Sequence, residues 1–404
     1  MVTRNLLSAT VIVGALGYFI DVYDLVLFSI VRRASLRGLG VPDSELLQVG
    51  VDLLNWQMGG MLIGGILWGM LGDRKGRVSV LFGSIFLYSV ANVANGLVTS
   101  VPMYAALRFI AGVGLAGELG AAITLVSEVL PTELRGYGTG IVAGVGLTGA
   151  VAAGIVGDYF DWRTAYFVGG GLGFLLLVLR LRMLDSGIYR EMDKEKVRRG
   201  DLRLLFANRE RILRFLYCIL IAIPVWHLVG IVVTFSPEIT RALNATEPIL
   251  AGHAILFTYV GISSGDLVSG CLSQWMRTRK GVLRIFLGAL SVLMMVTLFS
   301  RGFSAAYFYT LCVLMGFATG YWAVFVTVAA EQFGTNLRAT VTTSTPNFVR
   351  GSVVLLTTLF EWFKTPLGIV HSALAVGALF LALAFWALSQ LEETFGRDLN
   401  FYER

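Results

Sequence analysis

Gly69-Met70-Leu71-Gly72-Asp73-Arg74-Lys75-Gly76-Arg77 gathers flexible glycines, one carboxylate and three cations between two apolar segments, 48–71 and 78–98. Each segment is long enough to cross the hydrocarbon layer, which takes about 20 helical residues. In lipid such a segment satisfies its backbone polar groups only by forming a helix. The nine residues therefore read as a short polar hinge between membrane helices that must slide. Working outward, apolar runs recur at 8–31, 101–128, 137–159, 162–184, 212–235, 248–272, 282–300, 304–330, 341–363 and 367–390. The 404 residues are 56% hydrophobic and only 14% charged, with a mean hydropathy of +0.75, a balance that excludes an ordinary water-soluble domain. The expected fold is all-α: a polytopic membrane protein with twelve transmembrane helices.

One long polar stretch, 185–211, divides these spans six and six. The expected organisation is an N-terminal six-helix bundle (1–184), a cytoplasmic linker (185–211) that contacts anionic lipid, a C-terminal six-helix bundle (212–390) and a cytoplasmic tail (391–404). With both termini in the cytoplasm, Arg74, Lys75, Arg77, Arg135, the linker, Arg277, Arg279, Lys280, Arg284 and Arg338 lie inside, the positive-inside pattern for the inner membrane of a cell. That bias accounts for the net charge of +6 without a nucleic-acid partner. The run from Leu6 to Ile20 continues through Asp21 and Asp24 to Val31 with no small-residue cleavage site, so it reads as a span and not a signal peptide. Cys218, Cys271 and Cys312 are too scattered for a disulfide or metal framework. No cofactor is expected, and the chain is expected to act as a monomer.

The two halves resemble each other. Glu128-Val-Leu-Pro-Thr132-Glu-Leu134-Arg135-Gly136 corresponds to Glu331-Gln-Phe-Gly-Thr335-Asn-Leu337-Arg338-Ala339, and more weakly Gly69 corresponds to Gly270 and Asp73 to Gln274. Two pseudo-symmetric bundles joined by a linker are the plan of an alternating-access transporter. The hinge pattern G-x-x-x-D-R-x-G-R resembles the loop between helices 2 and 3 of the major facilitator superfamily. Arg108-Phe-Ile-Ala-Gly112-Val-Gly114-Leu-Ala-Gly117-Glu118 is similar to the fourth helix of its metabolite:proton symporters, and Asp21-Val22-Tyr23-Asp24 resembles helix 1 of its aromatic-acid:proton symporters, with Val22 where that pattern has glycine. The resemblance implies a secondary transporter that moves a small metabolite with protons.

An ionisable side chain deep in a span costs a few kcal/mol and calls for a partner or a purpose. Asp21 and Asp24 share a face of span 1, and Arg108 and Glu118 lie on span 4. Superfamily helices 1 and 4 line the N-terminal cavity, so the resemblance lets these four form one cluster. Two carboxylates against one guanidinium favour holding a proton on one acid. Asp21, Asp24 and Glu118 are thus the proton-coupling candidates, against a static Asp24–Arg108 pair.

In the second half, Arg350 is the one cation near the midplane, amid Thr342, Thr343, Ser344, Thr345 and Asn347, with the helix-bending Pro346 beside it. Its planar fork suits a carboxylate. Arg108, His227, Arg350 and Asn347 are the substrate-binding candidates. Asp266 is expected to join the loop network of the second half. By resemblance, Gly69, Asp73, Arg74, Arg77, Glu128, Arg135, Glu331 and Arg338 form a cytoplasmic gate, with Asp73 against the N-terminus of span 11.

The leading expectation is proton-coupled uptake of a small organic anion. A zwitterion symporter and a non-cycling membrane sensor are the alternatives. No nucleophile–base set or phosphate loop suggests an enzyme.

Overall fold

The computed structural model describes residues 9–75, 77–118, 132–185, 205–206 and 208–396, and they are helical with no strand among them. The chain divides into two compact units, Met1–Arg198 and Arg199–Arg404. The first contains α1 (Ala9–Gly38), α2 (Leu46–Lys75), α3 (Arg77–Asn95), α4 (Val101–Leu115), α5 (Thr132–Tyr159) and α6 (Trp162–Asp185). Within it α1 lies along α5, α2 along α4 and α3 along α6. Small residues set these seams. A Cβ on Gly112 of α4 would press into the Gln57 carbonyl of α2 and stand 3.1 Å from the Met61 nitrogen, so only glycine lets the two backbones meet there.

The second unit begins with α7 (Arg209–His227), which continues as a π-helical turn at Leu228–Val233. There Thr234 N bonds back to Val229 O at 3.2 Å and its hydroxyl reaches the same carbonyl at 2.7 Å. Next come α8 (Ser236–Ala242), α9 (Ala251–Trp275), α10 (Arg279–Phe299), α11 (Ala305–Thr319), α12 (Trp322–Glu331), α13 (Thr335–Gly351) and α14 (Val353–Gln390). The closest pairings are α9 with α11 and α7 with α14. The single span expected at 304–330 is thus two helices, broken at Gly320–Tyr321, where Gly320 meets the Gly265 backbone too closely for any side chain.

The burial pattern is inverted relative to a water-soluble protein. Leu175, Leu267 and Trp275 are 58%, 70% and 81% exposed, whereas Asp21, Asp24, Arg108, Glu118 and Arg180 are fully or almost fully buried. Apolar side chains outside and charges inside are what a lipid solvent selects. The N-terminal helix also outruns its expected apolar span, continuing past Val31 to Gly38 and burying Arg32, which donates to Leu46 O at 3.1 Å.

The 38-residue run α14 would be about 57 Å long if straight, nearly twice a bilayer's hydrocarbon thickness, but it is two helices divided at Gly368. It turns back at Gly368, whose φ of 75° and ψ of 168° lie in a region open only to glycine. Gly368→Ala is expected to destabilise the protein by about 1–3 kcal/mol. Gly171→Ala, in a helical and open position, is expected to leave stability unchanged. Melting temperatures of the two detergent-solubilised variants check this.

Candidate functional site

The buried charges of unit 1 among the described residues are Asp21, Asp24 and Arg32 of α1, Arg108 of α4, Glu118 just beyond α4, and Arg180 of α6. Along α1, Gly17, Asp21, Asp24, Phe28 and Ser35 recur at helical spacing on one buried face, which α4 and α6 approach. Asp24 interacts electrostatically with Arg108 of α4 and Asp21, with Asn92 of α3 beside it. Neither of its oxygens, nor either polar atom of Asn92, has a hydrogen-bond partner of ordinary geometry among the described residues. Gly169 of α6 gives the carboxylate its room, since a Cβ there would run into Asp24 Oδ1 and stand 2.9 Å from the Tyr23 ring. Arg108 donates from Nη1 to the Tyr166 hydroxyl at 3.1 Å. Its guanidinium carbon sits 5.6 Å from the Phe28 ring centre and 5.5 Å from that of Tyr166. Its Nε and Nη2 have no partner among the described residues.

The four residues expected in one cluster form two. Glu118 lies ten positions beyond Arg108, about 15 Å along the helix direction. There Arg180 of α6 grips both its oxygens, with Nη1 to Oε2 at 3.1 Å, and the same Nη1 also donates to Leu81 O at 3.0 Å. Ser84 adds a longer bond at 3.4 Å. Both partners are buried, and Gly17 of α1 leaves the space they occupy. Arg180 went unread in the sequence. Tyr88 interacts electrostatically with both groups, linking Asp24 and Asp21 to the Glu118–Arg180 pair.

In unit 2, His227 joins helices inside the unit. Its Nε2 stands 2.9 Å from Ala373 O of α14, and its ring edge fills the space beside Gly377 and Met294. Arg350 and Asn347 are both buried on α13, one helical turn apart, after Pro346 and near the Phe215–Phe348 ring pair. Asp266 is not in the loop network: it caps the broken tenth span, accepting from Ala323 N at 3.2 Å.

Of the expected gate residues, Glu128 lies outside the described residues. Gly69, Asp73, Arg74, Arg77, Arg135 and Arg338 fall on helices at positions whose side chains are outside the description. Glu331 is described. It pairs with Arg279 at 3.2 Å and accepts from Thr394 Oγ1 at 2.6 Å. Arg279 in turn lies 5.2 Å from the Phe395 ring centre, and Glu393 caps α10 through Arg279 N at 2.9 Å and Lys280 N at 3.1 Å.

Helices wrapped in apolar side chains, with a buried ion pair inside unit 1 and the buried charge of Arg350 inside unit 2, agree with the chain's family match: a multi-pass membrane transporter and not an enzyme. The chain belongs to the Major Facilitator Superfamily, whose family model matches residues 7–356. It is 29% identical over 290 residues to the 3-(3-hydroxy-phenyl)propionate transporter of Escherichia coli (strain K12), covering 70% of this chain and 69% of that one. It is 24% identical over 411 residues to the gentisate transporter of Corynebacterium glutamicum, covering 96% and 88%. In fold it is similar to the crystal structure of a D-xylose-proton symporter, with a TM-score of 0.72 at 17% identity over 96% of this chain and 99% of that one.

Breaking a buried pair strands one charge and costs about 3–5 kcal/mol, whereas replacing both partners by apolar groups is often neutral. Arg180→Ala is therefore expected to lose that much stability, and Glu118→Leu combined with Arg180→Met to recover most of it. Thermal unfolding of the three proteins in detergent measures the difference.

Proposed function

We propose that the protein takes up a small carboxylate, with an aromatic ring as the preferred body, together with protons by alternating access through the inner membrane. The observation that carries this is the Asp24–Arg108 arrangement: a buried carboxylate within electrostatic range of a guanidinium, with Asn92 beside it and neither oxygen in a hydrogen bond of ordinary geometry among the described residues. A carboxylate already gripped, such as Glu118, gains little by binding a proton, whereas one left open can alternate between charge states. Asp24, with Asp21 a turn away, is the proton carrier. Glu118 serves the same half as a paired charge that fixes α4 to α6.

The anion is held by Arg350, with Asn347 beside it, because a buried guanidinium able to bind bidentately is the strongest recognition element for a carboxylate that the described residues of the second half offer. Arg108 remains in unit 1 to balance Asp24, and His227 ties α7 to α14. The relatives named for 3-(3-hydroxy-phenyl)propionate and gentisate support an aromatic acid as cargo.

In proteoliposomes given a pH gradient, Asp24→Asn is expected to abolish accumulation of labelled gentisate or 3-(3-hydroxyphenyl)propionate while keeping exchange across the membrane. Accumulation by Asp24→Asn at the wild-type level would remove the proton assignment. Arg350→Ala is expected to weaken binding of the same acids roughly ten- to hundredfold, the loss of a charge-assisted bond worth about 1.5–3 kcal/mol. Calorimetric affinities equal to wild type would place the anion elsewhere.

A further inference from the structure

Three hydroxyls stand in line between the Ser35 end of α1 and Arg108. Arg108 Nη1 donates to Tyr166 OH at 3.1 Å, the hydroxyls of Tyr166 and Tyr104 share a short hydrogen bond, Tyr104 OH reaches Ser35 Oγ at 3.3 Å, and Ser35 Oγ reaches Arg32 O at 3.0 Å. The ends fix the direction of every proton in the chain. A guanidinium can only donate and a backbone carbonyl can only accept. Tyr166 therefore accepts from Arg108 and gives its own proton to Tyr104, Tyr104 gives to Ser35, and Ser35 gives to Arg32 O. Each hydroxyl accepts once and donates once, so the bonds polarise one another in the same sense. Tyr104, Tyr166, Ser35 and Arg108 are all fully buried.

This chain holds Arg108 by its Nη1. The Phe28 and Tyr166 rings add cation–π attraction. Yet the Asp24 carboxylate, with Asn92 beside it, stands within electrostatic range, and opposite charges in a medium of low dielectric attract strongly. The two remain unjoined. Asp24 is faced by Asp21 and Tyr23 of its own helix, Tyr88 and Asn92 of α3, Arg108 of α4, and Tyr166 of α6. The helices α2 and α5, which also pack on α1, add none of their described charged side chains to that set.

We propose that Tyr166, backed by Tyr104 and Ser35, is a positioning residue that tethers Arg108 away from Asp24, so that Asp24 exchanges a proton instead of being locked in an ion pair. This rests on the reading of Asp24 as the proton carrier. Without the tether the guanidinium swings to the carboxylate and holds it ionised. The same tether explains why α4 carries Tyr104 and Arg108 four residues apart: both must face α6 on one side of the helix.

The test needs no transported substrate. The infrared carbonyl band of a protonated carboxyl is titrated in the purified full-length protein, and Asp24 is assigned as the band lost in Asp24→Asn. Tyr166→Phe keeps the ring and removes the acceptor, and is expected to move the midpoint of that band to lower pH by about one unit or more. Tyr104→Phe leaves the Tyr166 proton without its acceptor and is expected to move the midpoint the same way by less. Tyr321→Phe, which removes an equally buried hydroxyl that donates to Ile221 O in unit 2, is expected to leave it in place. If Tyr166→Phe does not fold, Tyr104→Phe carries the comparison. An unmoved midpoint in the folded variants overturns the tether while leaving Asp24 as the carrier. A set of carboxyl bands unchanged by Asp24→Asn overturns the carrier reading itself.

Discussion

The ions buried inside unit 1 have essentially no surface exposed in this structure, so each must be stabilised there by neighbouring side chains. Unit 1 meets that constraint in two ways. At one level Arg180 and Glu118 neutralise each other with nearly every polar atom occupied. At another, Arg108 is held by aromatic faces and a hydroxyl, and Asp24 is left open. The first arrangement is stable in one charge state. The second leaves the carboxylate without such a partner, the arrangement on which the proposed coupling role rests.

The close backbone seams follow from the same constraint. Side chains as large as arginine and tyrosine reach each other across a bundle only if the helices carrying them approach closely elsewhere. Gly112 brings α4 against α2, and Gly169 and Gly17 open the space that Asp24 and the Glu118–Arg180 pair fill. Substituting Gly169 or Gly17 would act on the charges first, whereas substituting Gly112 would push α4 off the α2 backbone.

The spans were legible because lipid imposes length and hydropathy on every one of them, and those survive in the sequence without knowledge of any contact. Asp24 and Arg108 were legible for the complementary reason, as charges where apolar residues are required. Arg180 escaped because an arginine in the last turns of an apolar helix ordinarily extends its head to the interface, and nothing local shows that it turns inward to Glu118. Asp266 escaped because its role depends on the break at Gly320–Tyr321, which the continuous apolar run through 304–330 conceals. Depth alone placed His227 near mid-membrane but did not show that its ring meets Ala373 O. Depth follows from counting residues, whereas azimuth depends on neighbours distant in sequence.

The residues after α14 have a practical bearing on how this chain can be handled. Leu391, Glu393, Thr394 and Phe395 are bonded to, or packed on, Lys280, Arg279 and Glu331. They belong to the folded body of unit 2 even though they follow its last helix. A fluorescent reporter or affinity handle joined directly at Gln390 would strip the cap from α10 and a hydroxyl from Glu331. One joined beyond Gly396 would leave both in place, so the choice of junction decides whether a tagged protein reports on the native molecule.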